Sequence, residues 1–314
     1  MRPAPDGRAP VDPWKTPAWL LEQERVPGLE PGQEPDLIQS LTVFLTGAEC
    51  LFSCVFCDLW RYTLEHPTPP GAITHQVETA LAAAWPEPPS PAQLKLYNAS
   101  NFFDPRAVPQ GEEDSLLALL SPFARVVVEC HPRLVGQRCQ AFAAALEGRL
   151  EVAMGLETIH PEALPRLDKS MTLGDFQRAC RRVLDVGASL RAFVLVGSPF
   201  VPVGESVTWA VRSCEWAFEQ GVGLVSLIPV RPTTRRLEEL ASGGYYSPPS
   251  LGMLEEALER CLELGGGVVN ADLWDLELFS DCEHCAAERR ARLARMNFRA
   301  SLEPAVACPH CSAP

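Results

Sequence analysis

The chain has 314 residues, 46% of them apolar and 21% charged, which is the balance of a protein that buries a large core. Its net charge of −13 argues against a general polyanion binder or a protein held on an anionic membrane by a basic field. No stretch reaches the roughly 18 uninterrupted apolar residues of a membrane span, and the start MRPAPDGRAPVDPWKTP lacks the apolar core of a secretory leader. A cytoplasmic location follows as the expectation. In that reducing setting the twelve cysteines are metal ligands, catalytic groups or buried small side chains, not disulfides.

Residues 1–36 are rich in proline and read as an N-terminal extension wrapped on a surface, with Trp14 and Trp19 as anchors. The segment LIQSLTVFLTG (37–47) is the first expected strand and ends at a cysteine cluster. Helices are expected at 73–85, 115–123, 139–146, 173–187, 205–221 and 253–265, and strands at 92–100, 124–132, 150–158, 189–197, 222–230 and 266–274. Strands that alternate with helices in this way predict parallel βα units closed fully or partly into a barrel. Three regions result: the extension (1–36), the βα series (37–275) and a cysteine-bearing tail (276–314).

The cluster after the first strand reads CLFSCVFC (50–57), and barrels of this class do their chemistry at the carboxyl ends of strands. Read by themselves, Cys50, Cys54 and Cys57 are either buried structural thiols or a zinc site that borrows His66 or His75. The alternative is a 4Fe–4S cluster: it normally takes four thiolates, and three would leave one iron with an open position. The spacing C-x3-C-x2-C, with Phe56 before the last cysteine and a βα series behind it, resembles the radical S-adenosylmethionine (SAM) superfamily over roughly residues 37–275. That resemblance implies an α/β fold, a partial (β/α)6 TIM-type barrel with a small C-terminal metal-binding knuckle. It implies a 4Fe–4S cluster on Cys50, Cys54 and Cys57 with SAM chelating the open iron, and an electron donor such as flavodoxin or ferredoxin. Cleavage of SAM to a 5′-deoxyadenosyl radical and hydrogen abstraction from a substrate would follow.

Relatives carry a Gly-Gly-Glu-like segment at the end of the second strand, whose backbone holds the SAM amino group. Here Asn98, Ala99, Ser100 and Asn101 stand in its place, so Asn98 and Ser100 are the candidate contacts. Glu129 and Glu157 end the third and fourth expected strands, and in the Elongator-like branch such glutamates meet SAM's ribose hydroxyls and amino group. Their plain reading is ion pairing with Arg133 or Arg166. Ile228, near the end of the sixth expected strand, stands where relatives stack adenine, although an aliphatic side chain in a strand is ordinarily core. Arg191 begins its strand, at the wrong end for a ligand, while Arg166 and Lys169 are expected to be solvated loop charges. The segment KLYNASNFFDP (95–105) is similar to radical SAM proteins associated with archaeosine synthesis, which makes a modified nucleoside in tRNA a candidate substrate.

Cys282, Cys285, Cys308 and Cys311 form CxxC-x22-CxxC, a set that suits tetrahedral zinc or an auxiliary iron–sulfur cluster; the spacing is the same for both. His284 and His310 are expected to be solvated. Between the pairs, Arg289, Arg290, Arg292, Arg295 and Arg299 make a basic helix that is either a solvated face or an RNA contact. A non-enzymatic iron–sulfur or zinc protein that binds RNA or a protein partner is therefore the alternative reading. Cys130, Cys139, Cys180, Cys214 and Cys261 read as buried small side chains.

Overall fold

The computed structural model describes residues 7–29, 33–280 and 282–311. Eight strands run β1 (Ala18–Val26), β2 (Asp36–Phe44), β3 (Ala92–Tyr97), β4 (Arg125–Glu129), β5 (Arg149–Glu157), β6 (Ser189–Val196), β7 (Leu224–Pro229) and β8 (Val268–Ala271). The helices are α1 (Ala72–Ala84), α2 (Glu113–Leu120), α3 (Gln137–Ala145), α4 (Ala163–Arg166), α5 (Leu173–Leu184), α6 (Ser206–Glu219), α7 (Arg235–Ser242), α8 (Leu251–Leu262) and α9 (Glu283–Arg299). Along the sheet the strands follow chain order, β1 to β8, as expected for successive βα units.

The chain divides into two compact units. The first is built from residues up to Glu24, Ile38–Gly155 and Asp168–Arg191, and the second from Arg25–Leu37, Leu156–Leu167 and Ala192 onward. In the first unit β2, β3, β4 and β5 pair in parallel, with Leu41 opposite Leu94, Leu96 opposite Val128 and Val126 opposite Leu150. These six residues are all fully or almost fully buried, so the strands read as apolar runs rather than alternations.

The other face of the same strands holds charge. Glu151 on β5 accepts from Arg125 Nη1 and from Arg191 Nε, both at 2.7 Å, and Arg191 Nη1 reaches Glu24 of β1 at 2.7 Å. Lys95 pairs with Glu22 and Glu24. Arg125 and Arg191 are 1% and 2% exposed, which requires such matched partners. Glu24 is held well below the usual carboxylate range by Arg191 and Lys95, although burial alone would raise it. Arg191 is therefore part of a buried ion network in the first unit.

The sequence expectation lacks β1, α4 and α7. Ala18–Val26 is a strand inside the proline-rich start. Its more buried face carries Leu20, Glu22, Glu24 and Val26, and two carboxylates on that face hide the apolar alternation. In the stretch 231–250, Thr234 accepts from Leu237 N and caps α7.

In the second unit β7 pairs with β8 in parallel, and Ser250 caps α8. Asn297 of α9 exchanges two hydrogen bonds of 2.8 Å with the backbone of Ala271 at the end of β8. Among the described residues no helix is long and apolar enough to cross a membrane.

Candidate functional site

Parallel register sets the first unit's rim. Phe44 ends β2 opposite Tyr97, the last residue of β3, and Leu45 N donates to Tyr97 O at 2.7 Å. Glu129, the last residue of β4, lies opposite Ala153 of β5. The loops that follow β2, β3 and β4 thus leave the same edge, and they carry Cys50–Cys57, Asn98–Asn101 and Glu129–His131.

The base of the cysteine loop is pinned. Gln76 of α1 accepts from Thr46 N at 2.7 Å and donates to Thr46 O at 3.0 Å, while Thr68 Oγ1 accepts from Ala48 N and donates to Ala107 O. A Cβ at Gly47 would meet Ala107 O at 2.9 Å, so only glycine fits where the loop crosses that backbone. Cys50, Cys54 and Cys57 are each partly exposed, and Cys57 N closes a turn onto Cys54 O. Burial pushes the Cys57 thiol up to about 12, with further contributions from Cys54 and Cys50 nearby. Phe56 sits half-buried in that turn. His66 and His75, considered as borrowed ligands, bond instead to the carbonyls of Pro67 and Trp14.

Beside the loop, Asn101 Nδ2 donates to Cys50 Sγ at 3.2 Å and Asn101 Oδ1 accepts from His131 N at 2.6 Å. The His131 ring stacks on Phe52, with centroids 3.6 Å apart. Its Nδ1 accepts from Arg133 N, so Nε2 carries the proton and donates to Lys169 O at 2.9 Å. Burial and the Lys169 charge push this imidazole down to about 3, which keeps it neutral. Asn98 N donates to Glu129 Oε2 at 3.1 Å. Burial raises the Glu129 carboxyl to about 7, against that hydrogen bond and the Lys169 charge.

Two groups on this rim lack protein partners. Asn98 is 1% exposed, and neither its side-chain oxygen nor its nitrogen is hydrogen-bonded; the same holds for the buried Ser100 Oγ. Buried polar atoms are paired in nearly all native structures, so these three invite a polar ligand. They fit SAM's requirement for donors and acceptors beside the cysteine loop. Arg133 Nη1, the partner considered for Glu129, bonds to Ser170 O instead. Lys169 is corrected: it is 7% exposed, not solvated, and it helps to set both neighbouring titrations.

Glu157 and Ile228 belong to the second unit. Glu157 ends β5 at 5% exposure with φ of 66°, a left-handed conformation that is uncommon for a non-glycine residue and typical of functional rims. Ile228 is a half-buried residue of β7. Arg166 is exposed, as expected of a solvated charge, and it also lies over two aromatic rings. Its guanidinium lies 3.9 Å from the Phe200 ring centroid and 4.8 Å from that of Tyr245.

The second unit also gathers Cys282, Cys285, Cys308 and Cys311, whose sulfur atoms lie within 4.8 Å of one another. This set can hold a metal. His284 and His310 stack on each other with centroids 3.8 Å apart. The arginines of α9 are paired: Arg289 and Arg292 with Glu255, Arg292 with Glu259, Arg290 with Glu277, and Arg295 and Arg299 with Glu303. The five remaining cysteines are all buried, as expected. The sequence reading missed His131 and Phe52, and it placed Asn101 in the rim segment without its contact to Cys50. The available signal was that CHP (130–132) directly follows Glu129 on the rim.

No family model matches the chain. It is 22% identical over 175 residues to an uncharacterized protein of Methanocaldococcus jannaschii, covering 53% of this chain and 47% of that protein. The chain thus spans about half the length of the curated relative it matches. Among solved structures it is similar to Elp3 of the archaeon Methanocaldococcus infernus, with a TM-score of 0.53 at 13% identity over 70% of this chain and 58% of that one. Methylornithine synthase gives 0.53 at 15% identity, over 83% and 69%. A radical SAM methyltransferase from Sphaerobacter thermophilus gives 0.51 at 15% identity, over 75% and 66%. At these identities the likeness is one of fold. The chain has the α/β fold of the radical SAM enzymes, the partial TIM-type barrel that the sequence led us to expect.

Proposed function

We propose that the protein is a radical SAM enzyme. Cys50, Cys54 and Cys57 hold a 4Fe–4S cluster with one iron free of protein ligands. Asn98, Ser100 and Glu129 hold SAM, with Phe56 beside the cluster. Bound together and reduced by a flavodoxin or ferredoxin, the two cofactors supply reductive carbon–sulfur cleavage and a 5′-deoxyadenosyl radical that abstracts hydrogen. The chain's own part is to orient them and exclude water. Asn101 presents its amide to Cys50, and neutral His131 packs on Phe52 behind it. Cys282, Cys285, Cys308 and Cys311 hold a second metal centre.

The observation that carries this reading is the placing of three closely spaced cysteines beside the unpartnered Asn98 amide and Ser100 hydroxyl in the next rim loop. The substrate we propose is a modified nucleoside in tRNA, supported by the likeness of KLYNASNFFDP (95–105) to the archaeosine-associated proteins. The test is anaerobic reconstitution with iron and sulfide, reduction in the presence of SAM, and assay for 5′-deoxyadenosine and methionine. Both products are expected from the native chain and neither from the Cys54→Ala variant. Native chain that holds a cluster and makes no 5′-deoxyadenosine overturns the enzyme reading.

A further inference from the structure

The sulfur positions in the second unit choose a metal, which the spacing of the cysteines does not. Cys285 Sγ lies 3.4 Å from Cys311 Sγ, Cys282 Sγ lies 3.9 Å from Cys308 Sγ, and all four atoms are within 4.8 Å of one another. Four thiolates on a single zinc ion, at about 2.3 Å each, occupy a tetrahedron with edges of about 3.8 Å. Thiolates that cap the four separate irons of a cubane surround a body with its own edges, which holds the sulfurs about 6 Å apart. The donors here form the small tetrahedron, and a cubane would have to drive every pair apart.

We propose that Cys282, Cys285, Cys308 and Cys311 bind one zinc ion and no auxiliary cluster, and that this ion fastens residues 300–311 to α9. Four protein sulfurs fill the coordination sphere, leaving no position for a substrate. Soft thiolates are the donors that zinc takes in closed structural sites. The two pairs sit on short, preformed turns. Cys282 and Cys285 open α9, where Ala286 N donates to Cys282 O, and Cys311 N bonds back to Cys308 O at 3.4 Å.

The chain between the pairs already lies along the helix. Arg292, 3% exposed, donates from Nε to Pro304 O at 2.8 Å and to Glu303 O at 3.1 Å. The Glu303 carboxylate meets Arg295 and Arg299. Among the described residues after Arg299 there is no helix or strand, so closure of this loop rests on side-chain bonds and on the thiolates. A metal that ties both ends offsets the loop's entropy. The inference rests on the sulfur positions and does not depend on the reading of Cys50, Cys54 and Cys57.

The test uses the full chain, reconstituted anaerobically with iron and sulfide in the presence of zinc. Elemental analysis of the Cys50→Ala/Cys54→Ala/Cys57→Ala variant is expected to find about one zinc per chain and no iron. Residual iron, whether about four atoms or one, overturns the assignment. Zinc-edge X-ray absorption of the native chain is expected to show four sulfur neighbours near 2.3 Å, and nitrogen or oxygen neighbours in their place overturn it. The Cys308→Ser/Cys311→Ser variant is expected to lose zinc; retained zinc counts against the site. Removing zinc from native protein with a chelator is expected to speed proteolysis between Ala300 and Cys308 at least tenfold, and an unchanged rate rejects the fastening role.

Discussion

Asn101 Nδ2 donates a 3.2 Å hydrogen bond to Cys50 Sγ, and the backbone N–H of His131 holds the amide in that orientation through a 2.6 Å bond to its oxygen. The two bonds tie the loop after β2 to the loops after β3 and β4 through one side chain. A hydrogen bond to a cluster sulfur stabilises the more negative, reduced state, so it raises the reduction potential. Asn101→Leu is expected to bind a cluster whose midpoint potential is lower than native, read by an EPR-monitored redox titration. The same change strips His131 N of its acceptor and costs about 1–3 kcal/mol of stability, seen in urea unfolding. An unaltered potential would show that the amide has no influence on the cluster.

Glu151 is 0% exposed and is the shared partner of Arg125 and Arg191. Glu151→Leu leaves two guanidinium groups buried with an acceptor missing, and breaking such a pair costs about 3–5 kcal/mol. Chemical denaturation of the first-unit core is expected to show that loss. A cost under about 1 kcal/mol would mean that water already reaches these arginines and that the pairing is of the weak surface kind.

The buried network and the rim contacts mark where sequence reading stops. Runs such as RVVVE in β4 and LVSLIP in β7 announce strands buried on both faces, and α5 is announced by Thr172 and Asp175, which form its capping box. β1 is not announced, because Glu22 and Glu24 look like surface residues until Lys95 and Arg191, about 70 and 170 positions away in sequence, supply the charge. The three-cysteine spacing is legible because its geometry is local. The contact from Asn101 to Cys50 is not, since it depends on two loops leaving one edge of the sheet. The four distal cysteines lie between these cases: their spacing names a metal site, and only the distances between sulfurs separate one ion from a cluster.

Asn98 carries a cost that the folded chain does not recover by itself. Its amide oxygen and nitrogen are both buried without partners, and an unmet buried amide costs about 1–3 kcal/mol. Asn98→Leu keeps the volume and removes that cost, so cofactor-free protein is expected to gain about 1 kcal/mol in urea unfolding. The same variant is expected to bind SAM at least tenfold more weakly in calorimetry on reconstituted protein. A loss of stability in the cofactor-free state would show that the side chain has a structural partner after all.

Glu129 ties stability to pH in a stated direction. Its carboxyl is raised from 4.5 to about 7, chiefly by burial, so between those values the folded state keeps a proton that the unfolded state releases. The folded state binds more protons there, and stability falls as pH rises from about 4.5 to 7, then levels off. Glu129→Gln stays neutral throughout and its oxygen can still accept from Asn98 N. The cofactor-free variant and native protein are expected to match near pH 4.5 and to separate above it, with the variant ahead by about 1–2 kcal/mol at pH 8, less than the full shift implies because the residue is partly exposed. Urea titrations at the two ends of that window measure the difference. Saturating SAM, whose amino group is cationic, is expected to reverse the order by favouring the charged carboxylate, which a thermal shift on reconstituted protein reads directly. Equal SAM-induced shifts in the two proteins would remove Glu129 from the SAM contacts while leaving its titration intact.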